Sequence, residues 1–238
     1  VSTGGKCIKL DNEKQIKDLG VTVDERLTFE AHIQEKINKA YNMLGLIKRN
    51  FRDMDRKTFV MLYKSMVRSH LKYANSVWAP HKKALEDSIE KVQRVATRLV
   101  KGCKKLRYAE RLKFLQLPSL KFRRVRGDII ETYKILSGKY DNSGSNILEL
   151  DTNMHMQTRG NSMKLKKIRT DLALRRYCFS QRITDVWNSL PEDVITASTT
   201  NNFKNKIDKY WQSQELRYNY KAELTGTGSR SHIEDNMD

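Results

Sequence analysis

The sequence predicts a mostly α chain: a short N-terminal β-hairpin, a three-helix bundle, then a second helical region with a long loop and a disordered tail. Three observations carry this reading. Apolar residues recur every three or four positions through most of the chain, which lines them along one side of helices. Strand-like runs are concentrated in the first 29 residues. The breakers Pro80, Gly102, Pro118 and Gly138 fall between the periodic stretches rather than inside them.

In residues 1–29, "VSTGGKCIKL" and "IKDLGVTV" are short β-prone runs, with Gly4-Gly5 and Gly20 as turn candidates. From Ala31 to Asn50, Ile33, Ile37, Ala40, Tyr41, Leu44 and Ile47 repeat at helical spacing. A second helix over about 55–74 buries Phe59, Leu62, Tyr63, Met66 and Val67, with Asp53 or Asp55 as its cap. The third follows Pro80: Leu85, Ile89, Val92, Ala96 and Leu99 fall in one narrow arc, and Gly102 is a natural stop. Residues 30–103 therefore read as a bundle.

Residues 104–212 read as a second, basic helical region. "RYAERLKFLQL" is a short helix ending before Pro118, and Ser119 caps the next, which carries Val125, Ile129, Tyr133 and Leu136 as far as Gly138. Residues 138–162 are polar and aperiodic, a long loop, and "MKLKKIR" reads as extended. A helix from Ala173 to Leu190 stacks Phe179, Ile183, Val186, Trp187 and Leu190; a last one near 201–212 carries Phe203, Ile207 and Trp211. Apolar residues thin out beyond 213, so 213–238 is expected to be a disordered tail.

Charge narrows the function. Lysine and arginine number 46 against 28 acids, net +18, which favours a polyanionic partner such as nucleic acid over a neutral small molecule. Cys7, Cys103 and Cys178 are odd in number and far apart, so neither a disulfide framework nor a zinc site is written here. No secretion signal or membrane-spanning run is visible, and an intracellular setting, nucleus or cytoplasm, is expected. Val1 opens on a strand-like run without methionine, as in a fragment of something longer.

Catalytic motifs are not found. His81 lies between Pro80 and Lys82 at a helix start, where dipole and lysines disfavour a second charge, so it reads as structural. His32 reads as a cap or surface residue. HExxH, a phosphate-binding glycine loop and GxSxG are all lacking. Asp53-Met54-Asp55 is the only D-x-D, and helix capping explains it better than metal binding.

The third helix has a second face. Lys91, Arg94, Arg98 and Lys101 project opposite its apolar stripe, a ridge suited to a phosphate backbone, although Asp87–Lys91 and Glu90–Arg94 also have the i,i+4 spacing of a self-paired solvated face. Its neighbours tip the balance. Lys104, Lys105, Arg107, Arg111 and Lys113 follow with one acid, Glu110; "KFRRVRG" holds Lys121, Arg123, Arg124 and Arg126 with none; Lys164, Lys166, Lys167, Arg169, Arg175 and Arg176 share only Asp171. A polyanion spanning several elements accounts for this surplus.

Five stretches in order carry a resemblance: "KDLGVTVDERLTFEAHI" (Lys17 to Ile33), "YKSMVRSHLKYANSVWAPH" (Tyr63 to His81), "IEKVQRVATRLVKG" (Ile89 to Gly102), "LRYAERLKFLQLPSLKFRRVRGDIIETYKIL" (Leu106 to Leu136) and "VWNSLPEDVITASTTNNFKNKID" (Val186 to Asp208). Together they resemble the C-terminal part of reverse transcriptases of non-LTR (LINE-type) retrotransposons, of the jockey and chicken-repeat type. The resemblance implies that residues 1–29 are a palm end whose Leu19, Gly20 and Val21 match a primer grip, that 30–103 are a thumb, and that 104–212 touch RNA template, RNA–DNA hybrid or target DNA. It implies no cofactor in this chain, although the parent RNA-directed DNA polymerase would use magnesium. Paired aspartates on a palm hairpin hold those metals, and no Asp-Asp pair occurs here. Fingers and most of the palm would be the missing partners, and the fragment alone is expected not to polymerise. The alternative is a degenerate remnant or a host-adopted helical adaptor that binds protein.

Overall fold

The structure, a computed structural model, describes residues 2–3, 6–7, 13–140, 147–151, 161–169 and 173–227. It is mostly helical with a short antiparallel N-terminal hairpin, as the periodicity predicts. Strands β1 (Ser2–Thr3) and β2 (Lys6–Cys7) pair as one ladder; the Gly4-Gly5 turn expected between them lies outside the described residues. β3 (Gln15–Asp18) and β4 (Val21–Asp24) pair with Asp18 opposite Val21. Leu19 (φ 42°) and Gly20 (φ 78°) make the two-residue turn between them. Two successive positive φ values give the turn whose twist matches paired strands, and only the glycine adopts that conformation without strain.

Helix α1 (Glu30–Asn50) buries Ile33, Ile37, Ala40, Leu44 and Ile47, the expected stripe. α2 (Arg56–Leu62) starts at Asp55, whose carboxylate accepts from the amides of Lys57 at 3.3 Å and Thr58 at 3.1 Å. The expected second helix does not run unbroken to 74. Residues Tyr63–Val67 form a π-turn in which the Arg68 amide reaches back five residues to the Tyr63 carbonyl at 2.8 Å. The Ser65 hydroxyl donates to the Met61 carbonyl and Ser69 to that of Ser65, so side chains compete for the helical acceptors here. Ala74 then turns at φ 50° into α3 (Asn75–Trp78). Phe59, Tyr63 and Val67 are fully buried, and the wider turn keeps them all on the core side.

α4 (Lys83–Ala96) tightens into a 3₁₀ turn at Thr97–Leu99, and Gly102 (φ 81°) lets the chain reverse. Ile89, Val92 and Ala96 are buried, with Leu85 and Leu99 packed at the margin. This first core does not close at residue 103. It takes in Leu112 and Leu115 of α5 (Tyr108–Leu115), then Leu117 and Leu120, because the apolar side of so short a helix has no other cover.

α6 (Leu120–Leu136), capped by the Ser119 hydroxyl, passes between the two halves. Its Leu120 joins the first core, whereas Phe122, Ile129, Ile130 and Tyr133 build a second with Ile183, Trp187, Phe203, Ile207 and Trp211. The helix expected over 173–190 is interrupted: α7 (Ala173–Arg176) and α8 (Phe179–Asn188) are separated at Tyr177–Cys178. Arg182 donates to the Tyr177 carbonyl at 3.1 Å and so takes the acceptor that a continuous helix would use. α9 (Glu192–Ile195) and α10 (Thr200–Tyr210), the latter capped by Thr199, complete the second core.

The loop over 138–162 falls largely outside the described residues, but its ends are anchored. Leu150 bridges to Leu165, within the segment expected to be extended, and buried Asn161 donates to the carbonyls of Trp187 and Leu190 at 3.0 and 3.1 Å. The tail expected to be disordered from 213 is ordered for longer. Leu216 is buried in the second core, and Ser119 donates to its carbonyl at 2.7 Å; residues 228–238 lie outside the described residues. Leu216, Tyr220 and Leu224 supply the apolar contacts in this otherwise polar segment. Among the described residues no helix is long and apolar enough to cross a membrane.

Candidate nucleic-acid interface

The ridge on α4 follows from its amphipathic pattern. With Ile89, Val92 and Ala96 turned to the core, Lys91 and Arg98 are left exposed, and Lys101 follows them into solvent past the 3₁₀ turn. Lys104, Lys105 and Arg107 continue this exposed surface through the turn before α5. Lys91, Arg98, Lys101, Lys104 and Lys105 form no ion pair among the described residues, so the self-paired alternative does not describe them. Arg107 is different: it pairs with Glu110 at 2.7 Å in a capping box at the start of α5.

Arg94 departs from the expected ridge. Its guanidinium lies 5.3 Å from the Tyr108 ring centre and 5.4 Å from that of Tyr220, and it donates to the Tyr220 hydroxyl at 2.7 Å. The periodicity that places it on the polar face cannot show that a distant segment folds over it. Glu90, its expected i,i+4 partner, is fully buried and accepts instead from the Leu120 amide at 2.9 Å and from the Tyr108 hydroxyl. Burial pushes the Glu90 carboxyl up, against the hydrogen bond from Tyr108 and the charge of Arg124.

Arg124 is corrected as a binding residue. Its side chain is 8% exposed and pairs with Glu86 at 3.4 Å, because this position of α6 faces α4 rather than solvent. Arg126 holds Asp208 of α10 through two nitrogens, one at 2.6 Å, and Arg123 is part-buried. Among the C-terminal bases, Lys166 pairs with Glu149 at 3.2 Å and Lys167 with Asp185 at 2.8 Å. Arg169, Arg175 and Arg176 are exposed, and Lys164 is half-buried.

At the hairpin tip, Leu19 is 83% exposed while Val21 is in the core. The Tyr73 hydroxyl donates to the Leu19 carbonyl at 2.7 Å and Lys36 Nζ to that of Gly20 at 3.2 Å, so the turn is fixed against the bundle. A Cβ on Gly20 would lie 3.6 Å from the Tyr73 ring, ordinary contact distance, so φ rather than crowding calls for glycine there.

Two histidines resolve differently. His81 stacks on Tyr177 with ring centres 5.0 Å apart. His32, expected at a cap or surface, is fully buried: its Nδ1 accepts from the Thr22 amide at 3.1 Å and its ring lies 5.5 Å from Trp78. Burial, then the charge of Lys36, holds it down at about 4. It ties the hairpin to α1, a role that one helical turn of sequence gives no sign of.

The structure also brings other bases to two of the "KFRRVRG" run, Arg123 and Arg126. Lys72, Arg123, Arg126 and Lys204, from three segments, line a cleft of about 730 Å³ between the π-turn region and α6, and Arg68 lies near enough for its charge to act on Arg123 and Lys72. The charge run marks Arg123 and Arg126, whereas Arg68, Lys72 and Lys204 join them only through packing. No protein-family model, curated protein or solved structure matches this chain.

Proposed function

We propose that this chain is the palm end, thumb and C-terminal region of a non-LTR retrotransposon reverse transcriptase, and that it holds nucleic acid by the sugar-phosphate backbone without reading bases. One observation carries the binding reading: Lys91, Arg98, Lys101, Lys104 and Lys105 are exposed, close in sequence along the end of α4 and its following turn, and without an ion pair among the described residues. Bases with no acid to neutralise them are the electrostatic footprint of a phosphate-binding surface. Phosphate contacts fix register and carry no sequence information. In this reading the partner is RNA template, RNA–DNA hybrid or target DNA, and the magnesium chemistry belongs to an Asp-Asp palm hairpin that this chain does not contain.

Fluorescence anisotropy with a labelled RNA–DNA hybrid at 50 and 200 mM salt tests the proposal. Binding that weakens by several powers of ten over that range is the expected result, since about six to ten phosphate contacts lose roughly 10³–10⁵ in affinity. No binding at the lower salt favours a remnant or a protein-binding adaptor.

A further inference from the structure

The cleft between the π-turn region and α6 is a second basic feature, separate from the ridge on α4. Lys72, Arg123, Arg126 and Lys204 line it, with Arg68 close enough to act on Arg123. Arg126 is occupied by Asp208, and the Glu131 carboxylate is engaged by Lys134 and the Tyr140 hydroxyl. That leaves Arg68, Lys72, Arg123 and Lys204 with no ion pair or side-chain hydrogen bond among the described residues. The Nε of Arg123 is buried and has no hydrogen-bond partner among the described residues.

These features are costly in isolation. A buried donor without an acceptor loses its water and gains nothing in return, and like charges held together repel. Burial first, then Arg68 and Arg126, holds the Arg123 guanidinium down at about 10, and burial with Arg123 lowers Lys72. An oxyanion removes both costs: it offers acceptors to the guanidinium and cancels the repulsion. A planar guanidinium flanked by amines is the arrangement that suits a tetrahedral phosphoryl group.

We infer that this cleft is a phosphoryl-binding site in which Arg123 makes the central contact and Arg68, Lys72 and Lys204 supply the surrounding charge. The volume leaves space for the sugars on either side of the phosphoryl group. The site stands on its own geometry; only the view that a nucleic-acid strand brings the phosphoryl group to it rests on the function proposed above.

The test is calorimetric titration of the whole chain with inorganic phosphate against sodium chloride of equal ionic strength. Saturable phosphate binding is expected, weakened at least tenfold in Arg123→Met and severalfold in Lys72→Gln, whose rim position keeps the fold intact. Arg123→Met is also expected to melt no lower than the parent in chloride, because a repelled charge has gone. Lys48→Ala, an exposed base of α1 outside both basic features, is expected to bind phosphate unchanged. Competition with 5′-phosphorylated and 5′-hydroxyl DNA decamers identifies the source: preference for the first indicates a strand end, equal competition an internal phosphodiester. If neither decamer competes, the site takes small phosphates and only the nucleic-acid reading fails. Absence of phosphate binding, or binding untouched by both Arg123→Met and Lys72→Gln, overturns the inference.

Discussion

Arg94 of α4 donates to the hydroxyl of Tyr220 at 2.7 Å, 126 residues further along the chain. The contact closes a stack in which one guanidinium faces the rings of Tyr108 and Tyr220, so a residue of the basic face staples the C-terminal segment onto the first core. Arg94 therefore serves stability, while its neighbours Lys91 and Arg98 remain exposed to a partner.

Alanine at Arg94 is expected to cost about 1 kcal/mol through lost cation–π contact and packing. Arg98→Ala should leave the unfolding midpoint unchanged. Urea denaturation followed by circular dichroism distinguishes the two; equal effects contradict the division of the face.

Glu90 is the acceptor at the centre of the first core, serving the Leu120 amide and Tyr108 and lying near Arg124. Glu90→Leu leaves these groups unanswered in a dry site and is expected to destabilise by about 3–5 kcal/mol, with Glu90→Gln milder. Equilibrium unfolding of both variants measures this. Stability retained in Glu90→Leu contradicts the network.

His32 predicts a pH dependence. Its folded value of about 4 lies below the ordinary 6.5, so the unfolded chain binds more protons between those limits. Its contribution is complete above 6.5 and falls as pH drops towards 4, at up to about 1.4 kcal/mol per pH unit. Glu90, pushed upward, acts in the opposite sense. The difference in stability between the parent and His32→Asn, followed from pH 7.5 to 4, isolates His32, because asparagine can still accept from Thr22. A difference constant across that range contradicts a neutral buried imidazole.

The helices of the first core were legible because each shows one apolar stripe: Ile33 to Ile47 and Ile89 to Ala96 are buried where the spacing places them. Two breaks were not. The π-turn at Tyr63–Val67 and the gap at Tyr177–Cys178 are each accompanied by a side chain on a backbone carbonyl, Ser65 in one case and Arg182 in the other, and composition does not reveal which carbonyl a side chain will reach. The ridge was half legible. Exposure of Lys91 follows from helical phase, which the 3₁₀ turn carries on to Arg98, whereas Lys101 lies beyond both; the burial of Arg124 against Glu86 and the capture of Arg94 by Tyr220 depend on how distant elements pack. The grouping of Arg68, Lys72, Arg123 and Lys204 has the same origin.

The salt dependence of RNA–DNA hybrid binding by Lys91→Ala/Arg98→Ala/Lys101→Ala, set beside the parent protein, tests the central claim most directly. The ridge should account for about two or three phosphate contacts, so the plot of log affinity against log salt becomes shallower by about that number, equally for unrelated hybrid sequences and with helicity unchanged. An unchanged slope and affinity in a folded variant would show that α4 does not touch the backbone.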